Sequence, residues 1–320
     1  MSKTTLAVEN LSFQIGGKQI LDSVSFEVDK GEILLLCGGS GSGKSTLANL
    51  INGYFPENGG KQDVAHIKIR DEEVQTLSVV QRSNHVRTIF QNARLSFSMK
   101  TLREEMVFCL ENSRVNAEKM DKVIKEKARY FNLEYLLDRS FDDLSGGELQ
   151  RAAFVCADLV DVPLYIMDEP FANVDEATMQ DYIRYMNDLA DKGKVIIVID
   201  HHISRWRWVD RWLLIDSCHQ LRDLSLIQSE AEREKLLTDE GLIVDTSTVL
   251  KNSTESEHVL LELDKVSVYH EKTLRKSLFR KEKQRNTLIE EAAFDLTEGT
   301  LAALVGPSGI GKTSLFQGQY

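Results

Sequence analysis

The stretch ILLLCGGSGSGKST, residues 33–46, decides the reading of this chain. Its first five residues are apolar, the pattern of a strand buried on both faces. Gly38, Gly39, Ser40, Gly41, Ser42, Gly43, Lys44, Ser45 and Thr46 follow, and Gly38 to Ser45 fit the spacing G-x-x-x-x-G-K-[ST]. Glycines at that spacing let the backbone curl until successive N–H groups point inward at phosphate oxygens. A helix over STLANLINGYF (45–55) adds the positive end of its dipole. Lys44 is then placed for the β- and γ-phosphates of a nucleoside triphosphate, and the Ser45 hydroxyl for Mg2+. A chance glycine turn would lack both the buried strand before it and the helix after it.

The same loop occurs again. LAALVGPSGIGKTS, residues 301–314, offers Gly306, Pro307, Ser308, Gly309, Ile310, Gly311, Lys312, Thr313 and Ser314 as a second phosphate cradle. Residues 19–47 align without gaps on residues 287–315, pairing Phe26 with Phe294, Gly31 with Gly299 and Lys44 with Lys312. Upstream, ENLSF (9–13) matches DKVSV (264–268) at an offset smaller by thirteen. One domain has been duplicated. The extra residues fall in EKTLRKSLFRKEKQRN (271–286), expected as a longer, solvated hairpin loop. A run so basic would also suit anionic headgroups or a partner.

Composition narrows the function. Hydrophobic residues make up 42% and charged residues 28%, ordinary for a soluble globular chain. The net charge of -11 argues against a general nucleic-acid binder, which carries a basic footprint. Cys37, Cys109, Cys156 and Cys218 have no C-x-x-C spacing and read as reduced, mostly buried thiols. The N-terminus lacks the apolar core of a signal peptide, and no apolar run reaches the roughly 18–20 residues that cross a bilayer.

VPLYIMD (162–168) and KVIIVID (194–200) are two further buried strands, and helices are expected at 116–130, 147–159 and 176–191. Strands alternating with helices give an α/β fold with a mostly parallel sheet. Residues 1–240 form the first domain, 241–258 a polar linker, and 259–320 the N-terminal part of a second copy. Asp168 ends a strand and can hold Mg2+ through water; Glu169 beside it can polarise the attacking water as general base.

Between loop and carboxylates lies DLSGGELQRAA (143–153), whose LSGGE resembles the signature of ATP-binding-cassette ATPases. The resemblance implies that Ser145, Gly146, Gly147 and Glu148 open a helix and cap the γ-phosphate of ATP held by another cassette. Other segments match in order. TIFQN (88–92) supplies Gln91, similar to the glutamine that reaches Mg2+ and the attacking water. FANVD (171–175) supplies Asp175 at the contact between cassettes. IDHH (199–202) supplies His201 as the switch histidine, preferred over His202 because it comes first after the strand. The implied catalytic set is Glu169, His201 and Gln91, with Ser45, Gln91 and Asp168 around Mg2+. The implied fold is a P-loop cassette: a mostly parallel core, an antiparallel subdomain, a helical signature-bearing subdomain, and an incomplete second copy.

INGYFPENGG (51–60) and EEMVFCLEN (104–112) resemble energy-coupling-factor importer ATPases, some of which are tandem. ATP and Mg2+ are the implied cofactors. The implied partners are membrane permease subunits and a second cassette, as a homodimer or tandem half, with no nucleic acid. The protein would then sit peripherally on the cytoplasmic face of a membrane and power uptake of a vitamin or metal ion. Peptide or nickel importer ATPases, and soluble cassette ATPases acting on ribosomes or DNA, are the alternatives.

Some residues depart from the family pattern. Where an aromatic usually stacks on adenine, the first copy has Ile15, with Phe13 two residues earlier. The signature ends in Glu148 where glutamine is commoner. SRWRWVDRWLLID (204–216) could suggest base stacking, but in an acidic chain it reads as a short helix and strand packed on the sheet. The second copy has no signature, no Asp–Glu pair and no switch histidine before Tyr320. The chain therefore reads as a truncated tandem whose segment from about 259 is weakly ordered.

Overall fold

The computed structural model describes residues 3–63, 65–172, 174–242, 258–277, 280–299, 302, 304, 306 and 312–317. The chain forms two compact units, the first from residues 1–144, 148–172 and 176–244, the second from residues 245–320 together with the short pieces 145–147 and 173–175. In the first unit the strands are β1 (Thr4–Ile15), β2 (Lys18–Asp29), β3 (Ile33–Cys37), β4 (Lys61–Gln62), β5 (His66–Ile69), β6 (Glu72–Glu73), β7 (Val86–Ile89), β8 (Leu164–Asp168), β9 (Val195–Ile199), β10 (Arg211–Ile215) and β11 (Leu221–Asp223). The helices are α1 (Lys44–Ile51), α2 (Val79–Arg82), α3 (Leu102–Asn112), α4 (Ala117–Tyr130), α5 (Gly146–Asp158), α6 (Glu176–Asp191) and α7 (Glu230–Asp239).

Two sheets build this unit. One runs β2-β1-β5-β6 and is antiparallel, with β4 also paired to β1. The other runs β11-β10-β3-β9-β8-β7 and is parallel except for the edge strand β11. β3 pairs on both sides, and its Leu34, Leu35 and Cys37 are fully buried, which is why ILLLC carries no polar residue. Burial pushes the Cys37 thiol up to about 12, so it stays protonated and inert. Leu34 and Leu36 pack with Leu47 and Ile51 of α1 and with Ile166, Ile197 and Leu213. Each such aliphatic side chain contributes roughly 1.5–3 kcal/mol by leaving water. This packing clamps α1, and so the loop before it, onto the sheet. Register then sets the site: Leu36 pairs with Ile199, and Ile199 with Asp168. The carboxyl ends of β3, β9 and β8 thus stand side by side, where ligands of open parallel sheets bind.

The helices expected at 116–130, 147–159 and 176–191 form within a residue or so of those bounds, as α4, α5 and α6. α3 begins at a capping box, in which Thr101 accepts from the Glu104 N–H and the Glu104 carboxylate accepts from the Thr101 N–H. The tryptophan segment forms a short 3-10 turn (Ile203–Trp206) leading into β10, with Trp206 fully buried.

Phe13 is also fully buried, its ring 5.1 Å from that of Phe55. Gly60 has φ +77°, and a β-carbon there would lie 2.1 Å from Phe13 Cζ. Gly60→Ala is therefore expected to lower stability by about 1–3 kcal/mol. An unchanged urea midpoint would contradict this packing. Enclosed in this way, Phe13 is not the adenine platform; Ile15, at the hairpin end, is 41% exposed but has no ring to stack.

The second unit contains β12 (Val259–Ser277), β13 (Arg280–Thr297) and α8 (Lys312–Gln317). Its hairpin repeats the first one bond for bond. Val8↔Phe26, Leu11↔Val24 and Phe13↔Leu21 in β1–β2 correspond to Leu263↔Phe294, Val266↔Ala292 and Val268↔Ile289 in β12–β13. The left-handed residues Asn10 and Ser23 recur as Lys265 and Glu291. The bond from Ser23 N–H to Ser12 Oγ, 2.8 Å, recurs from Glu291 N–H to Ser267 Oγ, 3.0 Å. A bulge that survives at two different offsets is a property of the duplicated domain.

Two expectations for this unit need correcting. The inserted basic residues are not an irregular loop: the ladder continues through Glu271↔Arg285 and Arg275↔Lys281 to Ser277↔Arg280. The insertion lengthens both strands, so the extra residues pair across the hairpin in the same antiparallel ladder. The expected buried strand LAALV is not formed at Ala302 or Leu304, its described residues, and Leu304 is 40% exposed. No parallel neighbour pairs with it among the described residues. α8 does begin at Lys312, as α1 begins at Lys44. Gly306 has φ 157° against 151° at Gly38. Pro307, Ser308, Gly309, Ile310 and Gly311 of the second loop, and residues 243–257 of the linker, lie outside the described residues.

Candidate active site

The loop between β3 and α1 is shaped by close approach. A β-carbon on Gly38 would lie 2.5 Å from the Ile215 carbonyl oxygen and 2.6 Å from Ser42 Oγ. One on Gly43 would lie 2.7 Å from the Ile20 carbonyl oxygen, at φ +111°. The first and last glycines of the motif are thus demanded by backbone that any side chain would displace. Lys44 Nζ folds over the loop and donates to the Gly38 and Gly39 carbonyls, both at 2.8 Å. Burial holds the Lys44 ammonium below its usual pKa. Ser42 Oγ is buried with no hydrogen-bond partner, a polar atom suited to a polar guest in the loop.

Ser45 Oγ donates to Asp168 Oδ2 at 3.2 Å. Burial, with Glu169 nearby, raises the Asp168 carboxyl above its usual range, while Ser45 and Lys44 pull it down. A hydroxyl and a half-buried carboxylate side by side form a hard-oxygen pair that fits Mg2+, which takes few protein ligands and fills the rest with phosphate and water. Among the described residues no group of three or more His, Cys, Asp or Glu side chains suited to a metal occurs.

Glu169 is the next residue after β8. Its φ is +46°, in the left-handed region, and its N–H donates to the Ile199 carbonyl at 2.8 Å. That turn directs its carboxylate to two partners. Gln91 Nε2, just after β7, donates to Glu169 Oε2 at 2.6 Å. His201 Nδ1, just after β9, lies 2.8 Å from Glu169 Oε1. Gln91, Glu169 and His201 therefore converge from three segments that are neighbours only because β7, β8 and β9 are neighbours. His202 instead gives its N–H to Asp200 Oδ1 at 2.8 Å. Strain at a non-glycine residue bearing the general-base candidate is typical of functional sites.

The signature residues are carried by another element. Ser145 precedes α5, Gly146 opens it, and Gly147 is buried. Glu148 accepts from Tyr135 Oη at 3.3 Å and lies 3.7 Å from Arg139 Nη1. A glutamine here would keep an acceptor for the phenol and lose the charge that faces the arginine. Asp175 immediately precedes α6. Asp200, Phe171 and Trp206 also crowd behind His201, and neither spacing nor composition marks them in the sequence.

A glycine loop between a buried strand and a helix, faced by a strand-end Asp–Glu pair, defines a P-loop nucleoside triphosphatase. Residues 21–172 match the ABC transporter family, and the first unit has the fold of an ABC transporter ATPase domain. A Bacillus subtilis (strain 168) protein, YkoD, named as an HMP/thiamine import ATP-binding protein, is 30% identical over 333 residues, covering 97% of this chain and 60% of its own. A Streptococcus mutans ABC transporter ATP-binding protein is 30% identical over 321 residues, covering 92% of this chain and 57% of its own. The chain thus spans about 60% of the length of these relatives. Among solved structures, an ATP-binding subunit of an ABC transporter superposes with a TM-score of 0.63 at 25% identity, covering 73% of this chain and all of that one. The fold is shared with cbiO1 of Clostridium perfringens, at TM-score 0.59 and 20% identity over 69% of this chain and 88% of that one.

Proposed function

We propose that the first unit binds MgATP, hydrolyses it when a second cassette closes over it, and so powers uptake of a small solute through a separate membrane permease. The observation that carries hydrolysis is the convergence of Gln91 and His201 on the Glu169 carboxylate, beside Ser45 and Asp168. Glu169 takes the proton of the attacking water; Gln91 orients that water; His201 meets the γ-phosphate. Ser45 and Asp168 would hold Mg2+, which supplies charge neutralisation on the phosphates. Main-chain N–H groups from Gly39 to Thr46, with Lys44, grip the triphosphate. Ser145, Gly146 and Gly147 serve the nucleotide of a second cassette, either another copy of this chain or a tandem half.

Several observations support a permease. Leu95 is 74% exposed, and Phe90, Val79, Val80 and Tyr54 are also exposed. Apolar side chains in the Gln91 segment suit contact with permease helices, and residues 92–112 would transmit closure. No helix among the described residues is long and apolar enough to cross a membrane, so a permease would be a separate chain or segment. The likeness to YkoD, named for HMP/thiamine import and extending over both copies, supports an import ATPase. The energy-coupling-factor type, with a vitamin or metal ion as solute and the cytoplasmic membrane face as its place of work, rests on the resemblance of residues 51–60 and 104–112. Affinity purification from detergent-solubilised membranes is expected to recover a multi-span permease. Recovery of ribosomes or DNA in its place would overturn the transport reading.

A further inference from the structure

His201 is the first residue of the switch segment but one: Asp200 stands between it and β9, with its side chain only 3% exposed. Both Asp200 oxygens are engaged. Oδ1 accepts from the His202 N–H at 2.8 Å, closing a side-chain turn around His201. Oδ2 accepts from Trp206 Nε1 at 2.8 Å. The Trp206 ring is fully buried and stacks on Phe171, with centroids 4.4 Å apart and planes 6° from parallel. Phe171 lies two residues beyond Glu169, and its carbonyl accepts from Arg205 Nη1 at 3.4 Å. The segments after β8 and β9 are therefore tied twice: in front by Glu169 and His201, and behind by Phe171 and Trp206.

We propose that Trp206 is a positioning residue for hydrolysis, holding the His201 turn in register with Glu169 through Asp200 on one side and Phe171 on the other. The proposal rests on His201 and Glu169 acting together as described above. The physical argument is one of degrees of freedom. A buried carboxylate is held by its donors. With one donor gone, Asp200 can rotate, and the turn it closes no longer fixes the His201 backbone. The stack makes the tie two-sided, because moving Trp206 also moves the segment that follows Glu169.

Trp206→Phe tests this, since it keeps a ring against Phe171 and removes the N–H, at the cost of a smaller buried side chain. The chain should remain folded, with kcat for ATP hydrolysis down about tenfold and KM for ATP changed less than about twofold. In a His201→Ala background the same substitution should have no further effect on kcat, because Trp206 acts through His201. A second readout does not depend on turnover. The imidazole 15N signals of His201, assigned by their loss in His201→Ala, should shift in Trp206→Phe, while those of His66, His85 and His219 stay in place. Unchanged kcat and unchanged His201 signals, with only a lower melting temperature, would mean that Trp206 is core packing and would overturn the proposal. An inactive parent chain whose His201 signals still respond to Trp206→Phe would remove the hydrolytic reading and leave the tie intact.

Discussion

Replacing Glu169 by glutamine is expected to lower kcat for ATP hydrolysis by a factor on the order of 10³ while leaving ATP binding almost unchanged. The carboxylate sits between Gln91 Nε2 and His201 Nδ1, and the left-handed turn at φ +46° fixes where it points. Glutamine has the same shape, and its amide can still accept one hydrogen bond and donate another, so the three segments stay together. What it cannot do is take a proton from water. ATP affinity should hold within about threefold, less than one neutral hydrogen bond is worth. If a closed pair of cassettes forms around uncleaved ATP, light scattering should show more dimer in the variant than in the parent. Phosphate release and nucleotide binding measured on one preparation decide the matter. Turnover equal to the parent's would take Glu169 out of the mechanism.

Lys44→Ala should act at the preceding step, weakening MgATP binding on the order of 10²-fold. Lys44 Nζ reaches the Gly38 and Gly39 carbonyls, so its charge is held at the mouth of the loop. A triphosphate offers this ammonium anionic oxygens in place of neutral carbonyls, and charge-assisted bonds are about twice as strong as neutral ones. Binding by calorimetry, with circular dichroism to show that the variant is folded, checks the prediction. Parent-like affinity would show that the loop does not hold the phosphates.

The contrast between these two residues and Trp206 shows what kind of information the sequence carries. Lys44, Asp168 and Glu169 are legible because their chemistry demands fixed neighbours: glycines for the turn, apolar runs for the strands, a helix start after the lysine. Gln91 and His201 have no such local signature and are found only through the order of segments along the chain. Their convergence on Glu169 depends on β7, β8 and β9 being adjacent, which is a property of the sheet. Trp206 looks like one more aromatic in an arginine-rich run, and its bond to Asp200 arises from packing. Phe13, the aromatic nearest the expected adenine platform, shows a related limit. It stands two residues before the expected position, which Ile15 occupies, and Phe55 and Gly60 enclose its ring.

The second copy shows the limit from the other side. Alignment at two offsets locates the duplication, and the repeated bulge at Ser12–Ser23 and Ser267–Glu291 has the same hydrogen bond in both hairpins. Local geometry therefore follows local sequence. LAALV, as apolar as most buried strands, does not form one at its described residues, because a central strand is made by its neighbours. The inserted 271–286 extends a ladder for the opposite reason: a hairpin brings its own partner.

The central claim is that the Gly38–Thr46 loop, with Ser45 and Asp168, holds MgATP. Equilibrium titration of the purified chain with ATP, in Mg2+ and again in excess chelator, tests it most directly. The account predicts saturable binding that weakens when Mg2+ is removed and is largely lost in Lys44→Ala. Absence of saturable binding in Mg2+ by the folded parent chain would contradict it.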